Sequence, residues 1–444
     1  MQDHHGPVLD VDAGAAANGK PHPARQAVSP LTKRLIAAST VLAIVLVLAA
    51  RDVTAVTIWL YPLAWYPLLV VLDGLVVRWG GSSLVARPRE LAAMLFWSAV
   101  VWFAFEALNT RLANWYYVYV PAVRWQRWIG TALAFATVVP AIVLPARLLE
   151  RRRWFERLVT RPFSIGALDL RLAFATGLVL LAALLAWPRL FYPLAWGAVW
   201  LLAEPLLYRL DPAHSLFADL EAGRWARAAR IMAGGLVAGA FWESLNALAR
   251  TRWIYTVPAL EHVKIFEMPP LGFVGFPFFA LEAWSLYHLL RRMTRWWTVV
   301  LASAGVLLTL HAMDRRTFAS TLPWVRELPE ITAADATRLE NAGLGDAFRI
   351  ARGGIAALEQ AGFPRDQAVR LVGVAELAAL RGIGTRNAAA LAAAGWATVG
   401  QLATADPAAV WAAVRRGGAA DRPTAAEVRV WIRAAQAGTS RSAL

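Results

Sequence analysis

Four acidic side chains and two carboxamides recur at matched places in two apolar near-copies of one pattern. The first copy reads Tyr61-Pro62-Leu63-Ala64-Trp65, then Asp73 and Arg78, then Glu106-Ala107-Leu108-Asn109 and Trp115-Tyr116-Tyr117. The second reads Tyr192-Pro193-Leu194-Ala195-Trp196, then Glu204 and Arg209, then Glu243-Ser244-Leu245-Asn246 and Trp253-Ile254-Tyr255. Acidic side chains at membrane depth are costly and are normally paired or functional, so two matched sets point to a site between two pseudo-symmetric halves. Asn109 follows Glu106, and Asn246 follows Glu243, at a spacing that places each amide on the helical face of its acid. Such a pair can orient a polar group, hold a proton, or join its counterpart across the pseudo-twofold axis as interhelical glue.

The second copy carries something the first lacks. The run from Phe266 to Glu282 contains Pro269, Pro270, Pro277, Gly272 and Gly275. It cannot begin as a regular helix, because each proline removes a backbone donor and restricts the residue before it. Irregular backbone at membrane depth is tolerated where it packs in protein or lines a cavity, and in transporters it marks the binding site. Glu282 closes this run where the first copy offers Ala141, so the symmetry breaks at a carboxylate. Glu282 and Glu243 are therefore the candidate catalytic acids, and Glu106, Asn109, Glu243, Asn246 and Glu282 the candidate ligand-binding set. His262, Glu267 and His288 lie near the same run, in a spacing that matches no zinc motif. No metal site and no cofactor is expected.

The positioning elements follow from composition. Hydrophobic residues make up 58% of the chain and charged ones 17%, which takes it out of the soluble range. Apolar runs at 35–50, 57–77, 91–109, 129–149, 168–187, 190–208, 229–249, 270–290 and 297–313 are candidate spans, the first and last being short. An all-α fold is expected: a polytopic bundle of eight or nine spans built from two parallel four-helix repeats, followed by a small soluble helical domain. Four spans separate equivalent positions, and an even number preserves direction through the bilayer. The arginine clusters around Lys33 and Arg34, Arg87 and Arg89, Arg151 to Arg161, Arg224 to Arg230, and Arg291 to Arg295 all fall on one side under strict alternation, which should be the cytoplasm. The aromatic residues Trp115, Tyr116, Tyr117, Tyr119, Trp125, Trp128, Trp253 and Tyr255 fall on the other side and are expected in an interfacial belt. The absence of cysteine excludes disulfides and thiolate chemistry.

The expected organisation is a disordered tail over 1–32, with His4 and His5 solvated, membrane repeats over 33–160 and 161–296, and a last span and linker over 297–324. A helical domain over 325–437 and a disordered end over 438–444 complete it. From Val325 onward 14 Arg face 11 Asp and Glu, so the basic excess lies mainly in the membrane part.

The membrane part resembles uncharacterised polytopic bacterial membrane proteins with a tryptophan-glutamate and asparagine motif followed by a Pro/Gly-rich phenylalanine segment. It is more loosely similar to membrane carotenoid cyclases, which are tandem helical modules using carboxylates without a metal. Their Pro-x-Glu-Glu core is replaced here by Pro277, Phe278, Phe279, Ala280 and Leu281 before Glu282. What that resemblance implies is a buried acid able to protonate an alkene of an isoprenoid lipid.

Leu380-Arg381-Gly382-Ile383-Gly384-Thr385-Arg386-Asn387 resembles a helix-hairpin-helix element. Its glycines permit the tight turn and expose N–H groups at the next helix start, a natural phosphate site. That implies sequence-independent nucleic-acid contact through Gly382, Gly384, Thr385 and Arg386. The near-neutral charge of this region favours a packing or protein-partner module instead.

The sequence leads to a bacterial inner-membrane protein with a cytoplasmic N-terminus, the bilayer as its first partner, and a cavity for a hydrophobic or isoprenoid ligand. Acid catalysis on an isoprenoid chain, and a membrane anchor or nucleic-acid tether acting through the C-terminal domain, stay open beside it. Nine spans would set that domain outside the cytoplasm and eight would keep it inside.

Overall fold

The computed structural model describes residues 29–257, 263–293, 295–329, 331–416 and 423–442. The expected N-terminal tail through residue 28, with His4 and His5, and His262 lie outside these residues. Among the described residues nine helical spans are long and apolar enough to cross a membrane. In the first repeat these are α1 (Pro30–Ala50), α2 (Leu60–Arg78), α3 (Pro88–Leu112) and the pair α4 (Arg124–Phe135) with α5 (Val138–Arg151). In the second they are α6 (Ala167–Ala186), α7 (Ala195–Leu210, preceded by a short turn from Pro188), α8 (Ala226–Leu248) and α9 (Gly275–Leu290, preceded by a 3-10 turn from Pro270). The ninth is α10 (Trp296–Arg316).

The pairing of these helices repeats with the sequence. Helix α1 packs on α2 as α6 packs on α7; α2 meets α5 as α7 meets α9; α3 meets α5 as α8 meets α9. The contacts between repeats are matched too, α5 against α8 and α9 against α3, so α3, α5, α8 and α9 form the centre. Small residues permit the close approach there: a Cβ at Gly234 would stand 2.5 Å from the Ile142 carbonyl, and one at Gly235 2.4 Å from Ala280. Lipid supplies little hydrophobic drive between helices, so backbone proximity of this kind is what holds them.

The carboxylates of Asp73 and Glu204 are used as loop caps. Asp73 accepts from the Leu84 amide and the Ser83 hydroxyl, both at 2.6 Å, and from Arg34 at 3.1 Å. Glu204 repeats the device, accepting from Ser215 at 2.6 Å and the Phe217 amide at 3.0 Å, with Ser285 bonded to its other oxygen. Each acid thereby satisfies a connection that would otherwise leave donors unpaired at the helix end.

At the opposite end, β1 (Trp115–Val118) and β2 (Arg252–Tyr255) pair antiparallel, Trp115 opposite Tyr255 and Tyr117 opposite Trp253. The chain leaving α10 runs along β1, with Tyr117 donating to the Thr317 carbonyl at 2.7 Å and Ala319 to the Tyr117 carbonyl at 2.8 Å. The C-terminal helices therefore lie at the strand end, opposite the arginine-rich loops. They run from Ala333 to Ser442 around a core of Leu339, Ile350, Leu358, Leu371, Ile383, Leu391, Val410 and Trp431. The final helix, Ala425–Ser442, extends past residue 437, where the sequence suggested a disordered end.

Candidate functional site

Each asparagine of the motif holds a strand. The Asn109 amide donates to the Trp115 carbonyl at 2.9 Å, while its oxygen accepts from the Asn114 and Trp115 amides at 2.9 and 3.3 Å. Asn246 donates to the Trp253 carbonyl and accepts from the Trp253 amide, both at 3.0 Å, and from the Tyr61 hydroxyl at 2.9 Å. A carboxamide is the side chain able to mimic a peptide group in this way, with one donor and one acceptor facing the same residue. The two amides thus fix β1 and β2 to the helices that precede them, and they do not join each other across the axis.

Each glutamate then takes the tyrosine of its own strand. Glu106 Oε1 accepts from the Tyr117 hydroxyl at 2.5 Å, from the Trp115 indole at 3.0 Å and from the Trp102 indole at 3.1 Å. Glu243 Oε1 accepts from the Tyr255 hydroxyl at 2.9 Å. Burial, and then the adjacent carboxylate, push both tyrosine hydroxyls well above their usual range, so they stay protonated and donate. Both glutamates are fully buried, and the Oε2 atom of each has no partner among the described residues.

Glu282 does a different job. Helix α7 is broken at Trp196 and Gly197, which leave helical geometry, and Glu282 Oε1 accepts from the amides of Gly197 at 2.6 Å and Trp200 at 3.3 Å. It caps the restarted helix from a neighbouring one. In the first repeat α2 runs through Trp65 without such a break, so nothing there needs the acid that Ala141 lacks. Glu282 Oε2 also has no partner among the described residues.

Between the halves lies a cavity of about 130 Å³, against about 10–15 Å³ for a single water. Its wall is mainly aromatic: Trp59, Tyr61, Trp65, Trp102, Trp115, Tyr117, Trp196, Trp242, Trp253, Tyr255, Phe276 and Phe279, with Gln126, Arg127 and Arg252 as polar elements. Trp115, Tyr117, Trp253 and Tyr255, expected in an interfacial belt, instead face this cavity, because strand pairing turns alternate residues inward. Trp125 is 62% exposed and does lie outside. The Glu106 and Glu243 carboxylates sit directly behind the tyrosines of the wall, bonded to their hydroxyls, whereas near Glu282 the wall is made by Phe279 of the same helix and by Trp196 at the helix break.

The Gly382-Ile383-Gly384 turn meets the strand pair from outside. Gly382 and Gly384 have positive φ of 86° and 71°, and both are buried. A Cβ at Gly382 would stand 2.9 Å from the Tyr116 hydroxyl, and one at Gly384 2.5 Å from Ser320. Thr385 is also buried, and Arg386 alone of the four proposed phosphate contacts is exposed. Of the residues expected to contact nucleic acid, Gly382, Gly384 and Thr385 thus lie enclosed, with the Gly382 amide bonded to the Tyr119 hydroxyl at 3.3 Å. Nothing local in the sequence signals that packing, since its partners Tyr116 and Ser320 are distant in the chain.

Fold and site together define a polytopic helical membrane protein with an aromatic cavity and a helical C-terminal region docked at its strand end. Residues 329–438 match the family described as Domain of unknown function (DUF4332). No curated protein and no solved structure matches the chain.

Proposed function

We propose that this chain is a bacterial inner-membrane protein that holds a hydrophobic or amphipathic small molecule between its two pseudo-symmetric halves. The observation that carries this reading is the aromatic cavity with two Glu–Tyr pairs in its wall. Apolar walls with a few convergent polar groups are the usual construction of a small-molecule site. Tyr117 and Tyr255 meet the ligand, with Glu106 and Glu243 fixing their hydroxyls, Asn109 and Asn246 positioning the strands, and Glu282 maintaining the broken helix beside the wall. The N-terminus is cytoplasmic, by the arginine distribution, and nine spans then carry the C-terminal region to the other side. That region, with its helix-hairpin-helix-type turn, serves as a packing module on the strand pair rather than as a nucleic-acid tether.

The unpartnered Oε2 atoms favour one alternative, acid catalysis on an isoprenoid chain. Binding leads because the glutamates reach the lumen only through tyrosine hydroxyls, which are weak acids. The test is mass spectrometry of small molecules retained by the protein in native-lipid discs, for wild type, Glu106→Gln and Glu243→Gln. A species enriched in wild type and depleted in both variants supports the cavity; a chemically altered product formed by the purified protein supports the enzyme; bulk lipid alone in all three removes both.

A further inference from the structure

Three phenols line the cavity, Tyr61 from α2, Tyr117 from β1 and Tyr255 from β2, and each commits its proton to a side chain behind the wall. Tyr61 donates to the Asn246 oxygen at 2.9 Å, Tyr117 to Glu106 Oε1 at 2.5 Å and Tyr255 to Glu243 Oε1 at 2.9 Å. The direction of the Tyr117 bond follows from its acceptor, because Glu106 Oε1 also receives the Trp102 and Trp115 indoles, which can only donate. Asn246 likewise turns its oxygen to Tyr61, since its nitrogen donates to the Trp253 carbonyl. A phenol has one proton, so with that proton spent the oxygen offers the lumen lone pairs alone.

The three oxygens belong to one neighbourhood, with Tyr255 in the middle. Glu243 acts electrostatically on both Tyr61 and Tyr255, and Tyr117 acts on Tyr255 in turn. Strand register agrees: Trp115 opposite Tyr255 and Tyr117 opposite Trp253 sets both strand tyrosines on the inner face, while Arg252 pairs with Val118 on the outer one. Two other donors of the wall are spent within the protein, the Arg127 guanidinium on Asp314 and the Pro121 carbonyl, and the Thr251 hydroxyl on the Tyr119 carbonyl. Trp65 supplies the complementary group. It is 1% exposed, lines the same cavity, and its indole N–H has no partner among the described residues. A buried donor left unmet costs about 1–3 kcal/mol.

We propose that the molecule in the cavity carries a neutral hydroxyl head group, which donates to the Tyr255 oxygen between Tyr61 and Tyr117 and accepts from the Trp65 indole. The inference rests on the cavity reading and names its ligand class, an apolar alcohol. A hydroxyl is the smallest group that both donates and accepts. A carbonyl of the same size would satisfy Trp65 but set its lone pairs against those of the phenols. An ammonium would donate to the phenols, but it has no lone pair for Trp65, and the carboxylates that would balance its charge stand behind the tyrosines. The aromatic walls take the apolar chain.

The experiment uses the full chain in uncharged detergent at neutral pH, titrated with farnesol, its aldehyde farnesal and protonated farnesylamine, each corrected for partition into micelles. In wild type, farnesol binds about tenfold or more tighter than farnesal, which has the same chain and nearly the same size but no proton to give. Tyr255→Phe shrinks that preference to within about twofold, whereas Trp65→Phe weakens alcohol and aldehyde alike and keeps it. The three-probe comparison on wild type stands even if a variant fails to fold. Equal affinity for farnesol and farnesal overturns the hydroxyl site and leaves the cavity reading intact. Farnesylamine binding tighter than farnesol overturns the neutral head group and assigns a cation. A preference that survives in folded Tyr255→Phe overturns the assignment to that oxygen. Failure of all three probes to bind overturns the cavity reading with it.

Discussion

Tyr119 and Gly382 lie 263 residues apart and share a hydrogen bond: the Tyr119 hydroxyl accepts from the Gly382 amide at 3.3 Å and donates to the Leu380 carbonyl at 2.5 Å. One residue of the membrane part thereby closes the turn of the C-terminal region. Strand β1, which ends just before Tyr119, presents Tyr116 to that turn on its outer face and Trp115 and Tyr117 to the cavity on its inner face. The roof of the cavity and the seat of the C-terminal region are the two sides of one element.

If the turn is seated in this way, its glycines are required twice, for their φ and for space. Gly382→Ala and Gly384→Ala each destabilise the docked region by about 2 kcal/mol or more. Gly395→Ala, with a positive φ but nothing within 4 Å of its Cβ, carries only the backbone cost of about 1 kcal/mol. Thermal unfolding followed by tryptophan emission should rank the three in that order. Equal shifts for all three would contradict the close contact with Tyr116 and Ser320.

A second clasp joins the parts through charge. Arg250 reaches Asp52 with two nitrogens at 3.0 and 2.6 Å, Arg352 adds a third contact at 2.7 Å, and the Arg250 guanidinium stacks 3.7 Å from the Phe348 ring. Burial raises the Asp52 pKa, but hydrogen bonds from Arg352 and Arg250 and their charges outweigh it and hold the carboxyl below its ordinary 3.8. The folded value being the lower one, the stabilisation is complete above pH 3.8 and is lost as pH falls through the depressed value. Protection factors from hydrogen exchange over 347–360, taken relative to the intrinsic rate at each pH, should therefore fall on acidification in wild type, and Asp52→Asn should show the lower protection already at neutral pH. Exchange indistinguishable from wild type in Asp52→Asn at neutral pH would refute the clasp. Truncating Arg250, which is nearly buried, should cost about 2 kcal/mol, while Arg352→Gln, at an exposed site, should cost under about 1 kcal/mol.

Removing the Asn109 amide leaves three strand groups without partners. Asn109→Ala should cost about 3 kcal/mol, and Asn109→Asp about as much, since a carboxylate cannot donate to the Trp115 carbonyl. Asn246→Ala should behave alike. Proteolytic nicking at the strand end, scored against the spans, reads this out; nicking unchanged from wild type would mean that the strands are held by something else.

For Glu282 the amide is the informative change. Glu282→Gln keeps an acceptor for the Gly197 and Trp200 amides and should fold, whereas Glu282→Ala leaves both donors buried and should lose about 2–4 kcal/mol. Ligand retention that survives Glu282→Gln identifies a positioning residue; retention lost in a well-folded Glu282→Gln would return the acid to the lumen.

The spans and the twofold repetition were legible because hydropathy and motif spacing are one-dimensional signals. The partner of each motif residue was not. Asn109 reads equally well as ligand contact or interhelical glue until Trp115 is seen to fold back on it, and the strand pair arises from two segments that each look like an interfacial loop. Glu282 stood out as an asymmetry, but its cause is the break at Gly197, a position that in the unbroken counterpart is Tyr66. The Gly382 turn was visible as a turn. Its seat on Tyr116 and Tyr119 is a long-range contact that no local pattern encodes.

The central claim is that a molecule occupies the space between the halves. Thr131 lines the cavity, whereas Leu178 is half exposed on the lipid-facing surface of α6. Mass spectrometry of the species retained in native-lipid discs by wild type, Thr131→Trp and Leu178→Trp tests it directly. The structure predicts an enriched amphiphile in wild type and Leu178→Trp that is lost when Thr131→Trp fills the cavity. The same species in equal amount in all three would show that it binds elsewhere and contradict the account.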